Sequence, residues 1–407
     1  MARAASRRRV VTAGAALGAW VVAASGLAPH ALADDAVSPN QWYLAAMQAP
    51  EMWKVSTGKG IKVAVVDTGV NPDTPSLKGQ VLTQDVPQSA AYGATKDYQG
   101  HGTTMAELIA GTGKGGGLKG LAPDAKIIPL RISLGSLKDP AEKKLTQSSA
   151  AGIRAAADSD AKIVNLSYSG GSEPAEADAV KYALSKGKLL FAGTGNEGAT
   201  NDFYRDYPAA YPGVVGVSAA DEKGTVTHFS QSGDYVDLAS PGLNVPVWCD
   251  TSFQKYCDSR GTSQASAIAS ASAALIWSAH PSWTADQVLR TMIDTAGRSW
   301  DKNTPSKYLG YGLIRPRLVL EKADINPGPA DVDPLAKENG GSSAAPAAPA
   351  VPSSSPPAKG EAVAKGEGTG GTKDGGSTPW IVGGVLAGLV LIGGGVFAVF
   401  RTRRRGA

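Results

Sequence analysis

The chain has 407 residues, enough for one large domain or two ordinary ones with a full core. Its 50 glycines and 26 prolines are unevenly spread, so the sequence is partitioned into segments of different character. The formal charge of +4 is mild and the arginines gather at the two termini, which gives no support for a nucleic-acid-binding face.

Arg7-Arg8-Arg9, an apolar stretch from Val10 to Ala28 and the exit Ala31-Leu32-Ala33 before Asp34-Asp35 predict a secretory signal over 1–33. The paired arginines also permit a twin-arginine route, although the residues that follow match it poorly. A permanent N-terminal membrane helix fits less well, because polar residues stand directly after the Ala-x-Ala exit. Residues 34–57 form an extension with an aromatic segment, Gln41-Trp42-Tyr43-Leu44 to Trp53, expected to pack on the surface of the domain and too short to be a pro-domain.

Ile61-Lys62-Val63-Ala64-Val65-Val66 is a β-branched run that predicts a buried parallel strand, with Asp67-Thr68-Gly69 at its carboxyl end. That edge of an open α/β sheet is where ligands bind, so Asp67 is either a site carboxylate or the cap of the next turn. Gln99-Gly100-His101-Gly102-Thr103-Thr104-Met105-Ala106 then leads into the helix pattern Glu107-Leu108-Ile109-Ala110-Gly111. A histidine set between glycines at a helix start suits a proton carrier. Of the other three histidines, His30 lies in the signal, His228 in an expected polar strand and His280 at a helix end.

Gly111 to Gly116 matches G-x-G-x-x-G but follows a helix, so it reads as a glycine-rich loop. Strands are expected at Ala125–Arg131, Lys162–Ser167, Lys188–Ala192, Val214–Ala220 and Val236–Ala239, with a helix from Ser148 to Ala157. This strand and helix rhythm predicts a doubly wound, mostly parallel sheet with helices on both faces. Gly193 to Gly198 repeats the G-x-G-x-x-G pattern after a strand, which raises a nucleotide-binding alternative. The prolines and aromatics from Asn201 to Pro212 argue against it, since no amphipathic helix follows and no acid is well placed.

Cys249 and Cys257 are the only two cysteines. In an exported chain they read as a disulfide across a short loop, or else as two free thiols. No Cys/His cluster has zinc spacing and no acidic cluster has clear calcium spacing, so no metal and no cofactor is expected. Arg260-Gly261-Thr262-Ser263 opens a ladder of small residues, Ala265 to Ala274, that ends in Leu275-Ile276-Trp277 and predicts a buried helix. Ser263 at its start is either an N-cap hydroxyl or a nucleophile set in positive backbone potential. A further helix is expected at Ala285–Met292.

Residues 324–378, rich in Pro, Gly, Ala, Ser and Lys, read as a flexible linker that ends the domain at 323. Residues 379–400 are continuously apolar, long enough at about 1.5 Å per residue to cross a bilayer core of about 30 Å. The basic tail 401–407 places the C-terminus in the cytoplasm and the domain outside the cell membrane.

Acid, histidine, amide and serine thus stand in the order Asp67, His101, Asn196, Ser263. With Asp67-Thr68-Gly69, His101-Gly102-Thr103, Gly195-Asn196-Glu197 and Gly261-Thr262-Ser263, residues 58 to about 320 resemble the subtilisin-like serine proteases. The order separates the chain from α/β-hydrolases, where serine comes first, and no G-x-S-x-G elbow occurs. The resemblance implies Ser263 as nucleophile, His101 as general base and then acid, Asp67 as its orienting partner, and Asn196 with the Ser263 backbone N–H as oxyanion hole. It also implies that Ser167-Tyr168-Ser169-Gly170 aligns a substrate backbone, that Gly193-Thr194-Gly195 walls the first specificity pocket, and that Tyr207-Pro208 is cis. Glu197 and Asp206 would favour a basic residue in that pocket.

More narrowly, the extension, signal, proline-rich stalk and single C-terminal span resemble the mycosins, membrane-anchored subtilases of type VII secretion. That likeness implies limited processing of a peptide or protein substrate beside a secretion membrane complex, or else a scaffolding role in it with little proteolysis. After Gly-Thr-Ser the family usually has Met or Phe and then Ala-Ala-Pro. Here stand Gln264-Ala265-Ser266-Ala267-Ile268, which puts substrate scope or rate in question.

Overall fold

The computed structural model describes residues 41–198, 205–322 and 324–338. Two short helices, α1 (Trp42–Ala46) and α2 (Ala49–Trp53), precede the first strand. The strands are β1 (Lys62–Asp67), β2 (Lys126–Arg131), β3 (Ile163–Leu166), β4 (Leu189–Gly193), β5 (Val214–Ala220) and β6 (Leu238–Pro241). They form one parallel sheet in the order β2-β1-β3-β4-β5-β6. The order reverses between β1 and β3, so the crevice outside their carboxyl ends is the expected place for a ligand.

The strands are buried along nearly their whole length because both faces of the sheet are covered. Val63 and Val65 of β1 face one core with α3 (His101–Ala110) and α7 (Thr262–Ala279), whereas Ala64 and Val66 face a second core with α5 (Ser149–Asp158) and α6 (Pro174–Ser185). This is the period of 2 that a pleated strand imposes. Helix α7 is buried on nearly every side, and its alanines and serines let it lie close against the sheet. Three further helices are α4 (Pro140–Leu145), α8 (Ala285–Thr295) and α9 (Pro316–Leu320), of which α8 and α9 pack against α7 and against each other. A capping box between Thr284 and Gln287 starts α8.

An antiparallel hairpin, β7 (Leu243–Trp248) and β8 (Tyr256–Arg260), stands apart from the main sheet and runs straight into α7. The bond between Cys249 and Cys257 closes its tip, so the disulfide reading of the two cysteines holds.

Several expectations are corrected. The aromatic extension is part of the core: Tyr43 and Met52 are buried, Trp42 Nε1 donates to the Leu243 carbonyl at 2.9 Å, and Trp53 Nε1 to that of Leu121 at 2.8 Å. The domain does not end at 323. Leu335 is buried, and Gln287, Thr284 and Arg290 of the α8 region donate to the carbonyls of Gly328, Ala330 and Val332. These backbone acceptors hold the chain down although its composition is that of a linker. His228 lies in a turn, and the strand expected at Val236 begins at Leu238. Among the described residues no helix is long and apolar enough to cross a membrane. The signal over 1–33 and the span over 379–400 both lie outside the described residues.

Candidate active site

Asp67 ends β1 and is wholly buried. Its Oδ1 accepts from the Thr68 N–H at 2.7 Å and lies 2.8 Å from His101 Nδ1. Its Oδ2 has no hydrogen-bond partner among the described residues. His101, half-buried, is the first residue of α3. Burial alone would lower its pKa, but the charge of Asp67 and the hydrogen bond to it outweigh that, and the net shift is upward from 6.5. The imidazole is therefore held with Nδ1 toward Asp67, which leaves Nε2 to act.

Asp97, a residue the sequence motifs do not flag, builds this turn. Its Oδ1 accepts from the N–H groups of Gln99 and Gly100 and from the Thr68 hydroxyl, and its Oδ2 accepts from the N–H and hydroxyl of Thr103, all between 2.6 and 2.9 Å. One carboxylate thus satisfies the free donors at the start of α3 and ties the helix to the residue after Asp67. Gly102 is required beside it, because a Cβ there would stand 2.2 Å from the Gly69 carbonyl oxygen.

Ser263 is the second residue of α7, where backbone N–H groups have no partner within the helix. Its hydroxyl donates to the Ser167 carbonyl at 3.0 Å, and no hydrogen bond joins it to His101 among the described residues. Below it lies a buried polar network: Asn165 Nδ2 donates to Ser167 Oγ at 2.8 Å, Ser167 Oγ meets Ser266 Oγ at 2.9 Å, and the Ser270 hydroxyl donates to Asn165 Oδ1 at 3.1 Å. Ser167 and Ser266 both donate to the Ser263 carbonyl, which fixes the backbone of the first turn.

Asn196 Oδ1 accepts from the Thr262 N–H at 2.9 Å and from the Thr262 hydroxyl at 3.2 Å. With its oxygen engaged there, the NH2 group of the exposed amide makes no hydrogen bond among the described residues and can donate beside the helix start. Of the expected substrate-aligning segment, Tyr168 donates its hydroxyl to Glu176 at 2.9 Å, Ser169 is exposed, and Gly170 pairs through its own N–H and carbonyl with Tyr207. The Tyr207-Pro208 bond is cis.

Gly193, Thr194 and Gly195 are buried, and the Gly195 N–H donates to the Thr262 hydroxyl at 3.1 Å. Asp206 Oδ2 lies 1.7 Å from where a Cβ on Gly195 would stand, so only glycine admits the carboxyl at this wall. Burial first, and the Glu197 charge second, push the Asp206 pKa up to about 6, while a hydrogen bond from Gln231 opposes them. Gln264, next to Ser263, is buried and its Oε1 has no hydrogen-bond partner among the described residues.

A parallel sheet of this order, carrying a buried Asp–His pair opposite a serine at a helix start, is the architecture of a subtilase. The Subtilase family (peptidase S8) matches residues 58–312, and the chain belongs to it. Among curated proteins it is similar to the minor extracellular protease Epr of Bacillus subtilis (strain 168), 37% identical over 285 residues, which are 68% of this chain and 41% of Epr. Subtilisin BL of Lederbergia lenta is 33% identical over 277 residues, 67% of this chain and 96% of that protein. The chain spans less than half the length of Epr. Among solved structures it is similar to MycP1 from Mycobacterium smegmatis, at a TM-score of 0.57 and 27% identity over 72% of this chain and 86% of that one. The MycP3 protease from the type VII (ESX-3) secretion system gives a TM-score of 0.56 and 26% identity, covering 70% and 88%.

Proposed function

We propose that the chain is a serine endopeptidase anchored in the cell membrane with its catalytic domain outside, engaged in limited processing linked to type VII secretion. The observation that supports it best is the buried Asp67–His101 pair, 2.8 Å apart, at the sheet edge that also receives Ser263 and Asn196. The hydroxyl of Ser263 leaves the Ser167 carbonyl and turns to His101 Nε2, which takes its proton as Oγ attacks the substrate carbonyl carbon. Asp67 holds Nδ1 and stabilises the imidazolium. The tetrahedral oxyanion is received by the Asn196 NH2 group and the Ser263 backbone N–H, with the positive end of the long helix α7 behind them. His101 then gives the proton to the leaving amine, and water, deprotonated by the same imidazole, hydrolyses the acyl-enzyme. Ser167 to Gly170 aligns the substrate backbone, and the Gly193–Gly195 wall bounds the first pocket.

Secretion and anchoring rest on the signal over 1–33, the apolar run 379–400 with its basic tail, and the likeness to MycP1 and MycP3. A second reading, a protease-like scaffold of a secretion complex, draws on two observations. Ser263 is hydrogen-bonded away from His101, and the buried Gln264 beside it has an amide oxygen with no partner among the described residues. Exchanging Ser263→Ala in cells separates the two: a protease leaves its secreted substrate unprocessed, whereas a scaffold leaves secretion unchanged.

A further inference from the structure

Helix α3 carries a glutamate where a buried helix face would ordinarily carry an apolar residue. Glu107 is 0% exposed. Its Oε1 accepts from the Thr74 hydroxyl at 2.7 Å and its Oε2 from the Tyr256 hydroxyl at 2.6 Å. Tyr256 in turn accepts from the Leu118 N–H at 3.3 Å and stacks on Trp248 with ring centroids 3.8 Å apart. Tyr256 is the first residue of β8, the strand that runs without a break through Arg260 and Gly261 into Ser263.

The contact belongs to a line of contacts along one stripe of α3. The Asp250 carbonyl packs against Gly100, the Trp248 N–H donates to Thr104 Oγ1 at 3.1 Å, and Tyr256 meets Glu107. Positions 100, 104 and 107 recur at the spacing of one helix face, so the hairpin lies along the helix that begins with His101. The Cys249–Cys257 bond closes the hairpin beside the Trp248–Tyr256 pair. The base therefore sits at one end of α3 and the nucleophile three residues past the end of β8, and the Glu107–Tyr256 hydrogen bond joins α3 to β8 between them.

We propose that Glu107 and Tyr256 are positioning residues, a buried brace that sets the register of His101 against Ser263. This rests on the protease reading above. The brace matters because Ser263 has two acceptors to choose between, the Ser167 carbonyl and His101 Nε2, and a small sliding of the hairpin along α3 decides which is in reach. Misplacing reacting groups by about 1 Å lowers a rate by about 100-fold even when every catalytic group is present. A carboxyl in an apolar core would otherwise only be costly, since burial pushes its pKa up to about 7 against its hydroxyl donors. The other ionisable groups facing it are Tyr43 on α1 and Tyr256, both phenols raised mainly by their own burial and also by the Glu107 charge.

The test uses the whole 407-residue chain. Tyr256→Phe removes one oxygen, and Glu107→Leu fills the same space without a hydrogen bond; neither touches a catalytic group. The readouts are the labelling rate of Ser263 by a fluorophosphonate, the kcat and KM on a quenched peptide cleaved by the wild type, and the melting temperature. Both variants are expected to label about 10- to 100-fold more slowly, with kcat lowered and KM changed by less than about twofold. Glu107→Leu leaves the Thr74 and Tyr256 hydroxyls without their acceptor and is expected to melt lower than wild type, so labelling and kcat are compared well below the melting temperature of each protein. Rate lost in a fully folded sample whose KM is kept is the mark of positioning. Wild-type labelling by Glu107→Leu overturns the brace, and so does wild-type labelling by Tyr256→Phe. If wild type itself does not label, the protease reading fails first, a result distinct from equal labelling of all three proteins.

Discussion

Glu107 makes stability depend on pH in a direction opposite to that of an ordinary paired carboxylate. Its pKa rises from 4.5 to about 7 in the folded chain, chiefly because burial disfavours the charge. The folded state therefore holds the proton more tightly than the unfolded state, and the native chain loses stability as pH climbs from about 4.5 to about 7, by about 3 kcal/mol in all. Below that window both states are protonated, and above it both are ionised, so the contribution is flat on either side. Glu107→Gln keeps the shape and removes the titration. Melting of wild type and Glu107→Gln at about pH 4.5 and about pH 8 is expected to show the difference between them moving by about 3 kcal/mol, some 5 to 10 °C, in favour of the glutamine variant at the higher pH. Taking the difference between the two proteins cancels the other groups that titrate in the window. A gap that is the same at both pH values would refute the reasoning.

Activity is expected to rise with pH through a midpoint above 6.5, since His101 must be neutral to act as base and Asp67 raises its pKa; the acid limb of kcat/KM measures this. Exchange of Asn196→Ala should cost about 3 kcal/mol of barrier, as loss of the oxyanion asparagine does in subtilisin, and should lower kcat more than it raises KM. Asp206 and Glu197 beside the Gly195 wall should favour arginine or lysine over glutamine in the first pocket. That preference, read from peptide libraries, should strengthen as pH rises through about 6, where Asp206 ionises, and weaken in Asp206→Asn. Replacing both Cys249 and Cys257 by serine opens a short loop and should cost about 2 to 3 kcal/mol by chain entropy, seen as a lower denaturation midpoint.

Strands β1, β4 and β5 are legible in the sequence because burial on both faces makes them continuous apolar runs. Hairpin β7–β8 escapes the same reading, since Cys257 and Asp258 are exposed and Pro246 interrupts the run, and its pairing depends on α3 beside it. Helix α6 buries only Glu176, Ala179, Val180 and Ala183, too weak a stripe to stand out. The extension reads as a surface segment because five residues of amphipathic pattern do not reveal that Tyr43 fills a core position. At the site, Asp67, His101, Asn196 and Ser263 are recognisable because each stands in a glycine-rich motif. Asp97 and Glu107 are not, because in sequence one is a loop acid and the other a helix acid. Only the fold turns the first into the cap of α3 and buries the second. An acid followed by Gly-His at cap spacing is the one local signal that would have pointed to Asp97.

The most direct measurement of the central claim is fluorophosphonate labelling of the whole chain followed by peptide mapping. One modified site is expected, Ser263, with labelling abolished in Ser263→Ala and strongly slowed in His101→Ala. A folded wild-type protein, its Cys249–Cys257 bond intact, that takes up no label at Ser263 would contradict it.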